Sequence, residues 1–459
     1  MFSADIYIKR RGRLKSSFNT GLIFFPGNQE APYNYTSNTY RFRQDSNFLY
    51  FWGIDLPNLA AVIDLDSNEE FIFGDDPETS DVVWTGPLPL LRDLAHKSGV
   101  NNTFALAELN NFIEKAKSKN RLIHYVQPYR GETKIQMASL MKCKIGELNS
   151  LSSTELKKAI VALRSIKDDI EISEIESMVN VAGTMHTTAM KMADPGISER
   201  EIAVAIEGIC LSKGHAISFT SICSIHGEIL HNPFYNNILK KGQLLVVDAG
   251  AESLEHYASD ITRTTPVGRK FDSRQRDIYE IVLRANLEVI KISKPGVPYR
   301  DVHLAAAGVI SEGLKSLGLL KGNVEELVNK GAHALFFPHG LGHMLGLDVH
   351  DMEGLGEDYV GYDKDFSRAD QFGLAYLRMA RKLEPGFVIT DEPGIYFIPS
   401  LIDQWKAENK FTEFINYEKL EKYKDFGGVR IEDDVLITEN GCRVLGEHIP
   451  KTISDIEII

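Results

Sequence analysis

Four acidic residues on strand-like apolar segments constrain this chain more than any other feature. Asp248 ends the apolar run of "QLLVVDAGAE", and Asp260 lies in the alternating segment "YASDITRTTPV". Glu392 follows the apolar run of "GFVITDEPGIYF", and Glu432 lies in the alternating segment "GGVRIEDDVLIT". Acidic residues are depleted in strands and are almost never buried without a partner. Any one of them alone could be a surface residue at a strand end, but the four together predict bound cations.

A cleft that gathers four carboxylates needs positive charge. The carboxylates would otherwise repel one another and shift their pKa values upward. Two divalent cations carry four positive charges, which matches the four acidic residues. Oxygen ligands with one histidine and no thiolate suit Mn2+, and also Co2+ or Zn2+. Two ions about 3.5–4 Å apart can activate a water molecule and polarise a carbonyl group, which is the chemistry of hydrolysis.

The segment "PHGLGHMLGLDVHD" supplies three candidate histidines, His339, His343 and His350. His339 and His343 are four residues apart, a spacing that can bind zinc when it lies on a helix. The interleaved glycines argue against a helix, since each costs ~1 kcal/mol relative to alanine. We therefore predict a glycine-rich strand and loop whose partner ligands come from elsewhere in the chain.

The length of 459 residues predicts two domains, because one ordinary core would be too small for it. Short apolar runs at 59–65 and 70–74, separated by turn residues, predict strands of a mixed sheet. A helical periodicity follows over 152–192, and we place the boundary inside it. The predicted domains are residues 1–165 and residues 166–459, and the fold class is α/β (α+β).

Two segments that begin 100 positions apart share one pattern, "DPGISEREIAVAIEGI" (194–209) and "KPGVPYRDVHLAAAGVI" (294–310). In each, Pro-Gly ends an amphipathic helix and a polar cap is predicted to start the next. Ser198 and Glu201 have the spacing of a capping box. The repetition predicts a second domain made of two similar halves.

The composition excludes some classes of protein. The formal net charge of −13, from 51 basic and 64 acidic residues, disfavours a nucleic-acid binder, which would need a basic face. No segment has the about 18 consecutive apolar residues that cross a bilayer. The apolar run at 22–25 is far shorter than a signal-peptide core. We therefore predict a cytoplasmic protein that binds neither nucleic acid nor membrane.

The cysteines fit the same compartment. Cys143, Cys210, Cys223 and Cys442 show no C-x-x-C spacing. They predict buried thiols in a reducing cytoplasm rather than a disulfide framework or a zinc site.

The acidic and histidine motifs together resemble those of the pita-bread metallopeptidases that act beside proline, aminopeptidase P and prolidase. The matching motifs are "VVDAGAE", "SDITRT", "HGLGHMLGLDVHD", "DEPGIYF" and "GVRIEDD", in the same order and with fitting spacing. Residues 40–58 resemble the amino-terminal domain of the same subgroup. The resemblance covers nearly the whole chain. It implies an N-terminal mixed α/β domain followed by a catalytic pita-bread domain with a pseudo-twofold internal repeat.

The resemblance implies a role for each metal ligand. Asp248 would bind one ion, and Asp260 and Glu432 would bridge both. His343 and Glu392 would hold the other ion. Glu392 would also deprotonate the attacking water and relay its proton to the leaving nitrogen. Metal-free relatives of this fold, either binding modules or creatinase, are disfavoured because all five positions carry ligand-type residues, and a purely structural acidic cluster predicts a protein without metal.

The resemblance also implies three catalytic histidines. His231, in "ILHNP", matches a histidine that lies against the substrate. His339 and His350 match two more, which can hydrogen-bond the scissile carbonyl and the developing oxyanion. The alternative is that His339 and His350 are structural histidines with satisfied hydrogen bonds. Three further histidines lie in no motif and are interpreted as structural: His215, His226 and His333.

Two arginines are candidate substrate-binding residues. Arg378, in "LRMARKLEPG", resembles a prolidase arginine that can grip the free carboxylate of a dipeptide as a charge pair. Arg430 is two residues before Glu432 on the same strand face. It would orient a ligand carboxylate, or lie at the surface.

The amino-terminal stretch "YRFRQDSNFLYFWG" resembles bacterial aminopeptidase P. We therefore expect an Xaa-Pro aminopeptidase that acts on proline-containing peptides, with the Xaa-Pro dipeptidase prolidase as the alternative. The family resemblance implies a homodimer or homotetramer.

Overall fold

The structure, a computed structural model, describes residues 1–214 and 216–459. It divides into two compact units, Met1–Arg164 and Ser165–Ile459. The helix that ends the first unit begins at Thr154 and ends at the division itself.

The first unit combines short strands with short helices. Its strands are β1 (Leu22–Pro26), β2 (Pro32–Tyr35), β3 (Asn38–Thr39), β4 (Ala60–Asp64), β5 (Glu69–Phe73), β6 (Asn102–Phe104) and β7 (Ile123–His124). Its helices are α1 (Ala4–Lys15), α2 (Ser46–Trp52), α3 (Thr79–Thr85), α4 (Leu91–Lys97), α5 (Leu109–Ser118), α6 (Gly131–Met141), α7 (Leu148–Leu151) and α8 (Thr154–Ser165).

A mixed five-stranded sheet organises this unit, in the order β6-β5-β4-β1-β7. Strand β4 is antiparallel to β1 and β5, whereas β6 and β7 run parallel to their neighbours. Alternate residues of a strand point to one face of the sheet. Phe24, Val62 and Phe73 accordingly pack with Ile113 of α5 and Met137 of α6 in one core. The predicted mixed sheet is confirmed.

The second unit has longer helices. They are α9 (Asp169–Met192), α10 (Glu199–Lys213), α11 (Ser273–Ile292), α12 (Tyr299–Ser316), α13 (Val324–Lys330), α14 (Glu357–Val360), α15 (Pro399–Ala407), α16 (Tyr417–Leu420) and α17 (Ile453–Glu457). Its strands are β8 (Ala216–Ile217), β9 (Ile222–Ser224), β10 (Leu244–Ala249), β11 (Ala251–Glu252), β12 (Ile261–Pro266), β13 (Val388–Asp391), β14 (Gly394–Tyr396), β15 (Gly428–Arg430), β16 (Asp433–Ile437) and β17 (Cys442–Val444).

The predicted repetition is visible in this unit. Helices α9 and α10 pack together and are followed by the antiparallel strands β10 and β12, and α11 and α12 are followed by antiparallel β13 and β16. The capping box is present, because Ser198 Oγ accepts from the amide of Glu201 and the Glu201 carboxylate accepts from the amide of Ser198. The second polar cap was wrong. Pro298 precedes α12 and makes no side-chain cap, and its fixed φ suits a helix start without one.

The prediction that the cysteines are buried thiols holds for two of the four. Cys210 and Cys223 are buried, but Cys143 and Cys442 are only half-buried. No helix in the described part of the chain is long and apolar enough to cross a membrane.

Candidate active site

One cavity of about 680 Å³ in the second unit gathers all of the predicted site residues. They are His231, Asp248, Asp260, His339, His343, His350, Arg378, Glu392, Arg430 and Glu432. The metal-ligand candidates among them span nearly two hundred positions of sequence, so only the tertiary fold brings them together.

The acidic residues reach the cavity from strand ends. Asp248 is the fifth residue of β10, and Asp260 directly precedes β12, which pairs with β10. Glu392 lies between β13 and β14. The expectation that Glu432 lies within a strand was wrong, because the regular pairing is interrupted between β15 and β16 at this residue. Asp248, Asp260 and Glu432 are buried, and Glu392 keeps 19% of its side chain exposed.

The prediction of a glycine-rich strand and loop holds only for the loop, because the segment that carries the three histidines forms no strand. Met344 makes an isolated bridge to Ile389, and the flanking residues are irregular. The backbone at Gly342 lies so close to its neighbour that an added Cβ would come within 2.1 Å of the Thr390 carbonyl oxygen. Thr390 Oγ1 accepts a hydrogen bond from the amide of His343 at 3.0 Å. The glycine thus lets the loop lie directly against β13, which positions His343 beside Glu392.

Candidate ligand atoms of Asp260, His343 and Glu432 lie within 4.8 Å of one another. The Nε2 atom of His343 is 3.5 Å from Asp260 Oδ2 and 3.6 Å from Glu392 Oε1. The other ring nitrogen, Nδ1, faces the Met344 carbonyl oxygen at 3.1 Å. A neutral imidazole held this way has its proton on Nδ1 and offers the Nε2 lone pair toward the carboxylates.

Positive charge from the described residues compensates these carboxylates only in part. Burial raises the pKa of Asp260 well above its usual value, and the charges of Glu432 and Asp248 raise it further. The pKa of Glu432 is also raised, first by burial and then by the charge of Glu392. Burial raises the pKa of Glu392 to about 7. Burial lowers the pKa of His343 well below its usual value, so its imidazole is neutral and able to bind a cation.

The donor set fits divalent cations. Oδ1 of Asp248 and Oδ1 of Asp260 are buried and have no hydrogen-bond partner among the described residues. Leaving a buried carboxylate oxygen unpaired is costly. Cations bound between these oxygens and His343 would satisfy them and would neutralise the cluster.

Arg430 contacts the cluster from one side. Its Nη2 donates to Asp248 Oδ2 at 2.5 Å, and its Nε donates to Thr262 Oγ1 at 3.0 Å. The Thr262 hydroxyl in turn donates to Glu432 Oε2 at 2.5 Å. Arg430 therefore orients two of the carboxylates, one directly and one through Thr262. Its third contact is to Tyr396, whose hydroxyl oxygen accepts from Nη1 at 3.1 Å.

His339 is held by two hydrogen bonds. Its Nδ1 lies 2.7 Å from the Gly340 carbonyl oxygen, so Nδ1 carries a proton. Its Nε2 lies 2.8 Å from the Tyr396 hydroxyl, which accepts from Arg430 and therefore donates to Nε2. Burial lowers the pKa of His339 to about 3, with the Arg430 charge contributing. The ring is thus neutral and in one tautomer.

His350 lies beside His343, and their ring centroids are 4.0 Å apart. Its Nδ1 lies 3.2 Å from Glu353 Oε2, and the same oxygen accepts from Arg378 Nη1 at 2.5 Å. Burial raises the pKa of Glu353, but the hydrogen bond from His350 and the charges of His350 and Arg378 outweigh it and lower that pKa to about 2. Glu353 is therefore ionised and links the two.

The other histidines singled out from the sequence differ in their surroundings. His231 is exposed on the loop after β9 and lines the cavity. Partial burial lowers its pKa, and the Arg430 charge adds to this effect. His333 is fully buried, and His226 is exposed beside Glu228. His215 lies outside the described residues.

The cavity also has an apolar wall. It is formed by Phe219, Ile222, Leu230, Pro233, Pro338, Val349, Phe372 and Tyr376. Such a surface can bury a compact apolar ring or side chain next to the polar cluster.

Sequence reasoning missed three residues of this site. Tyr396 is contained in the motif "DEPGIYF", so its place beside Glu392 could have been suspected. Thr262 is on β12 two residues after Asp260, and strand alternation predicts a shared face for the two. Glu353 lies in no motif and has no periodic context, and only the folded loop shows its contact with Arg378.

The chain matches two known domain families. The profile described as metallopeptidase family M24 matches residues 173–439, and that of the aminopeptidase P N-terminal domain matches residues 7–124. Because the first match covers more than half of the chain, the protein belongs to metallopeptidase family M24. The resemblance to the pita-bread peptidases and the α/β fold with its two domain types are thereby confirmed.

Relatives of known name are similar over most of their length. Human Xaa-Pro dipeptidase is 32% identical over 450 residues, which is 95% of this chain and 88% of that protein. A probable Xaa-Pro aminopeptidase of Fusarium vanettenii is 35% identical over 430 residues, or 91% of this chain and 87% of that protein. The names divide between dipeptidase and aminopeptidase, so they leave the substrate class open.

Solved structures agree on the fold. A variant of Escherichia coli aminopeptidase P in complex with substrate superposes with a TM-score of 0.82 at 28% identity, covering 100% of this chain and 98% of that chain. The aminopeptidase PepP of Pseudomonas aeruginosa gives a TM-score of 0.82 at 26% identity with the same coverage.

Proposed function

We propose that this protein is an Xaa-Pro aminopeptidase, a metallo-exopeptidase that hydrolyses the bond between the first residue of a peptide and a following proline. The observation that carries the proposal is the convergence of five ligand-type side chains and three histidines in one cavity. The family membership and the names of the relatives support hydrolysis at an Xaa-Pro bond.

The proposed cofactor is a pair of divalent cations, with Mn2+ preferred and Co2+ or Zn2+ as alternatives. Asp248, Asp260, His343, Glu392 and Glu432 would hold them. Bound there, the cations would supply positive charge that polarises the scissile carbonyl and activates water.

The chain's own residues provide the proton transfers and the positioning. Glu392 accepts a proton from the attacking water and delivers it to the proline nitrogen, which must gain a proton as the C–N bond breaks. His350 has its Nδ1 toward Glu353, so its Nε2 is the atom available to the scissile carbonyl oxygen. His339, fixed by Tyr396, and His231 line the cavity beside that position.

The apolar wall supports a substrate with proline next to the scissile bond, since a pyrrolidine ring is compact and apolar. The dipeptidase alternative rests on Arg378, which lines the same cavity and could bind a free carboxylate. We favour the aminopeptidase because the amino-terminal unit is of the aminopeptidase P type.

The test compares hydrolysis of an Xaa-Pro dipeptide with that of an Xaa-Pro-Yaa-Zaa peptide by the metal-loaded protein. We expect both kcat/KM values to be measurable and the longer peptide to be preferred. Turnover of the dipeptide alone would replace the aminopeptidase proposal by the dipeptidase.

A second measurement tests the metal itself. Elemental analysis should find two divalent ions per chain, and chelation should abolish turnover until Mn2+ is restored. A purified protein that holds no metal and gains no activity with Mn2+ would favour a non-catalytic binding module or a structural acidic cluster.

Two expectations about the molecule in solution accompany the proposal. The proposed assembly is a homodimer or homotetramer, which light scattering on the intact protein measures, and a monomer would contradict it. The proposed compartment is the cytoplasm, where cysteine thiols stay reduced.

A further inference from the structure

Arg378, the candidate for binding a substrate carboxylate, already has carboxylate partners within the protein. Its Nη1 is 2.5 Å from Glu353 Oε2 and 3.5 Å from Glu357 Oε1. Glu357 pairs more closely with Arg368, at 2.7 Å, so Glu353 is the carboxylate that directly offsets the charge of Arg378. The arginine therefore presents no net positive charge to an incoming anion.

Glu353 is fixed in this place from two sides. The same carboxylate oxygen contacts Arg378 and the Nδ1 of His350, and only 19% of the side chain is exposed. Its second oxygen, Oε1, is buried without a hydrogen-bond partner in the described part of the chain. A carboxylate held in this way does not swing into solvent without giving up both contacts.

The loop geometry explains how Glu353 comes to lie there. Met352 has a positive φ of 65°, which turns the chain sharply directly after the His350 segment. The short 3-10 turn Glu353–Leu355 follows, and its first side chain meets Arg378, 25 positions later. The contact between these two residues thus depends on a tight turn at the rim of the cavity.

We propose that Glu353 determines substrate length: by pairing with Arg378 it cancels the charge that would hold the C-terminal carboxylate of an Xaa-Pro dipeptide. This inference rests on the proposed function. A dipeptide carboxylate has to bind beside the Glu353 carboxylate or displace it from Arg378, and both cost free energy. A peptide that continues beyond proline places a neutral amide there, and its carbonyl oxygen can accept from a remaining Arg378 N–H.

A purely structural role for Glu353 makes a different prediction. If Glu353 only orients His350, its removal would alter kcat for every Xaa-Pro substrate by the same factor. If it offsets the Arg378 charge, its removal changes KM for substrates with a carboxylate directly after proline and leaves their amides little affected.

The experiment uses the full-length, metal-loaded protein with three substrates: an Xaa-Pro dipeptide, the same dipeptide with a C-terminal amide, and an Xaa-Pro-Yaa-Zaa peptide. In the unmodified protein the amide should be hydrolysed at least as well as the free acid. Glu353→Gln should raise kcat/KM for the acid relative to the amide by about five- to tenfold, mainly through KM.

Matched variants separate the contributions. Glu357→Gln should have a smaller effect than Glu353→Gln, because Glu357 is farther from Arg378 and also pairs with Arg368 at 2.7 Å. Glu288→Gln, which removes a carboxylate from a surface pair with Lys291, should leave the ratio unchanged. Adding Arg378→Met to Glu353→Gln should cancel the gain, as a double-mutant cycle requires of a coupled pair.

The outcomes are distinct. An unmodified protein that prefers the acid over the amide by tenfold or more overturns the inference without any variant, even if Glu353→Gln fails to fold. An unchanged acid-to-amide ratio in a folded Glu353→Gln also overturns it, and an equal change for all three substrates assigns a structural role. Failure of the unmodified protein to hydrolyse any of them overturns the proposed function and the inference together.

Discussion

Glu432 and Asp433 are neighbours in sequence, yet their carboxylates lie in opposite surroundings. Glu432 faces the cavity with Asp260, and burial followed by the charge of Glu392 raises its pKa. Asp433 faces the other way, where Arg263 Nη2 is 2.8 Å from its Oδ1 and Lys451 Nζ is 2.5 Å from its Oδ2. Burial alone would raise the pKa of Asp433, but Arg263 and Lys451 lower it below its usual value.

The difference shows how two adjacent residues can serve two purposes. Glu432 directly precedes β16 and Asp433 begins it, and their side chains have different partners. On the side away from the cavity, Arg263 and Lys451 neutralise Asp433, so the role of this carboxylate is structural. On the cavity side of the described structure, the carboxylates outnumber the arginine that contacts them, Arg430, and bound cations would complete the charge balance.

The largest expected effect is on the cavity side. Replacing Glu392 by Gln removes the proposed proton acceptor and keeps the shape of the side chain. We expect kcat to fall by about 10²–10⁴-fold, with circular dichroism and the thermal midpoint little changed. A variant with near-normal kcat would refute the role assigned to Glu392.

The next largest effect is expected on stability, where Asp433 and Glu432 should respond in opposite ways. Asp433→Asn leaves Arg263 and Lys451 without their buried charge partner, which should lower the free energy of unfolding by about 3 kcal/mol. Chemical denaturation of the metal-free protein measures this change. Glu432→Gln should do the opposite, because it removes a repelled charge: the metal-free protein keeps or gains stability.

Metal analysis completes this comparison. Glu432→Gln should lower the number of ions bound per chain, whereas Asp433→Asn should bind the same number as the unmodified protein. Equal metal loss in both variants would mean that Glu432 and Asp433 do not differ in their contribution to metal binding.

The stability of the metal-free protein should depend on pH, because the pKa values of Glu392 and Asp433 are shifted in opposite directions. The pKa of Glu392 is raised in the folded protein to about 7, against about 4.3 for an unfolded chain. Between these values the folded state holds more protons than the unfolded state, so this group destabilises the metal-free protein as pH rises. The lowered pKa of Asp433 acts with the opposite sign, but its window lies below about pH 4.

The measurement compares metal-free Glu392→Gln with the metal-free unmodified protein, so that the histidine contributions cancel. The variant should gain relative stability from pH 5 to pH 8, by an amount on the order of 2 kcal/mol. A stability difference that stays constant over this range would show that Glu392 is not perturbed.

The smallest effect is expected at Tyr396. Its hydroxyl accepts from Arg430 and donates to His339, so it fixes the orientation of that ring. Tyr396→Phe removes about one hydrogen bond's worth of free energy, which corresponds to roughly a tenfold loss in kcat. KM and the thermal midpoint should change little, and an unaltered kcat would mean that His339 needs no such support.

Local patterns were sufficient for much of the fold. Short apolar runs bounded by turn residues predicted the mixed sheet of the first unit. The amphipathic helix predicted before the second Pro-Gly is α11, which buries Ile278, Ile281, Val282, Ala285 and Val289. The Ser198 capping box was read from four residues. These features depend on neighbours in sequence, which is why sequence alone reveals them. The cap at Pro298 was wrong because a polar residue is common at that position but not required.

The candidate site also combines features that the sequence predicts with features that only the fold decides. Acidic residues on strand-like apolar segments identified Asp248, Asp260, Glu392 and Glu432, because such residues need a reason to be buried. Their distances, the tautomer of His339 and the pairing of Arg430 with Asp248 could not be predicted, since each depends on which strands lie side by side.

The sequence by itself determined which residue types were available for chemistry: four acids on strand-like apolar segments, three histidines among glycines, and the family that these motifs resemble. The tertiary structure alone decided which carboxylates keep a protein cation and which do not. The physical reason is that charge compensation acts over a few ångströms in space. Glu432 and Asp433 are adjacent in the chain but differ in whether a cationic side chain neutralises them. Glu353 and Arg378 are 25 positions apart and are joined by a hydrogen bond.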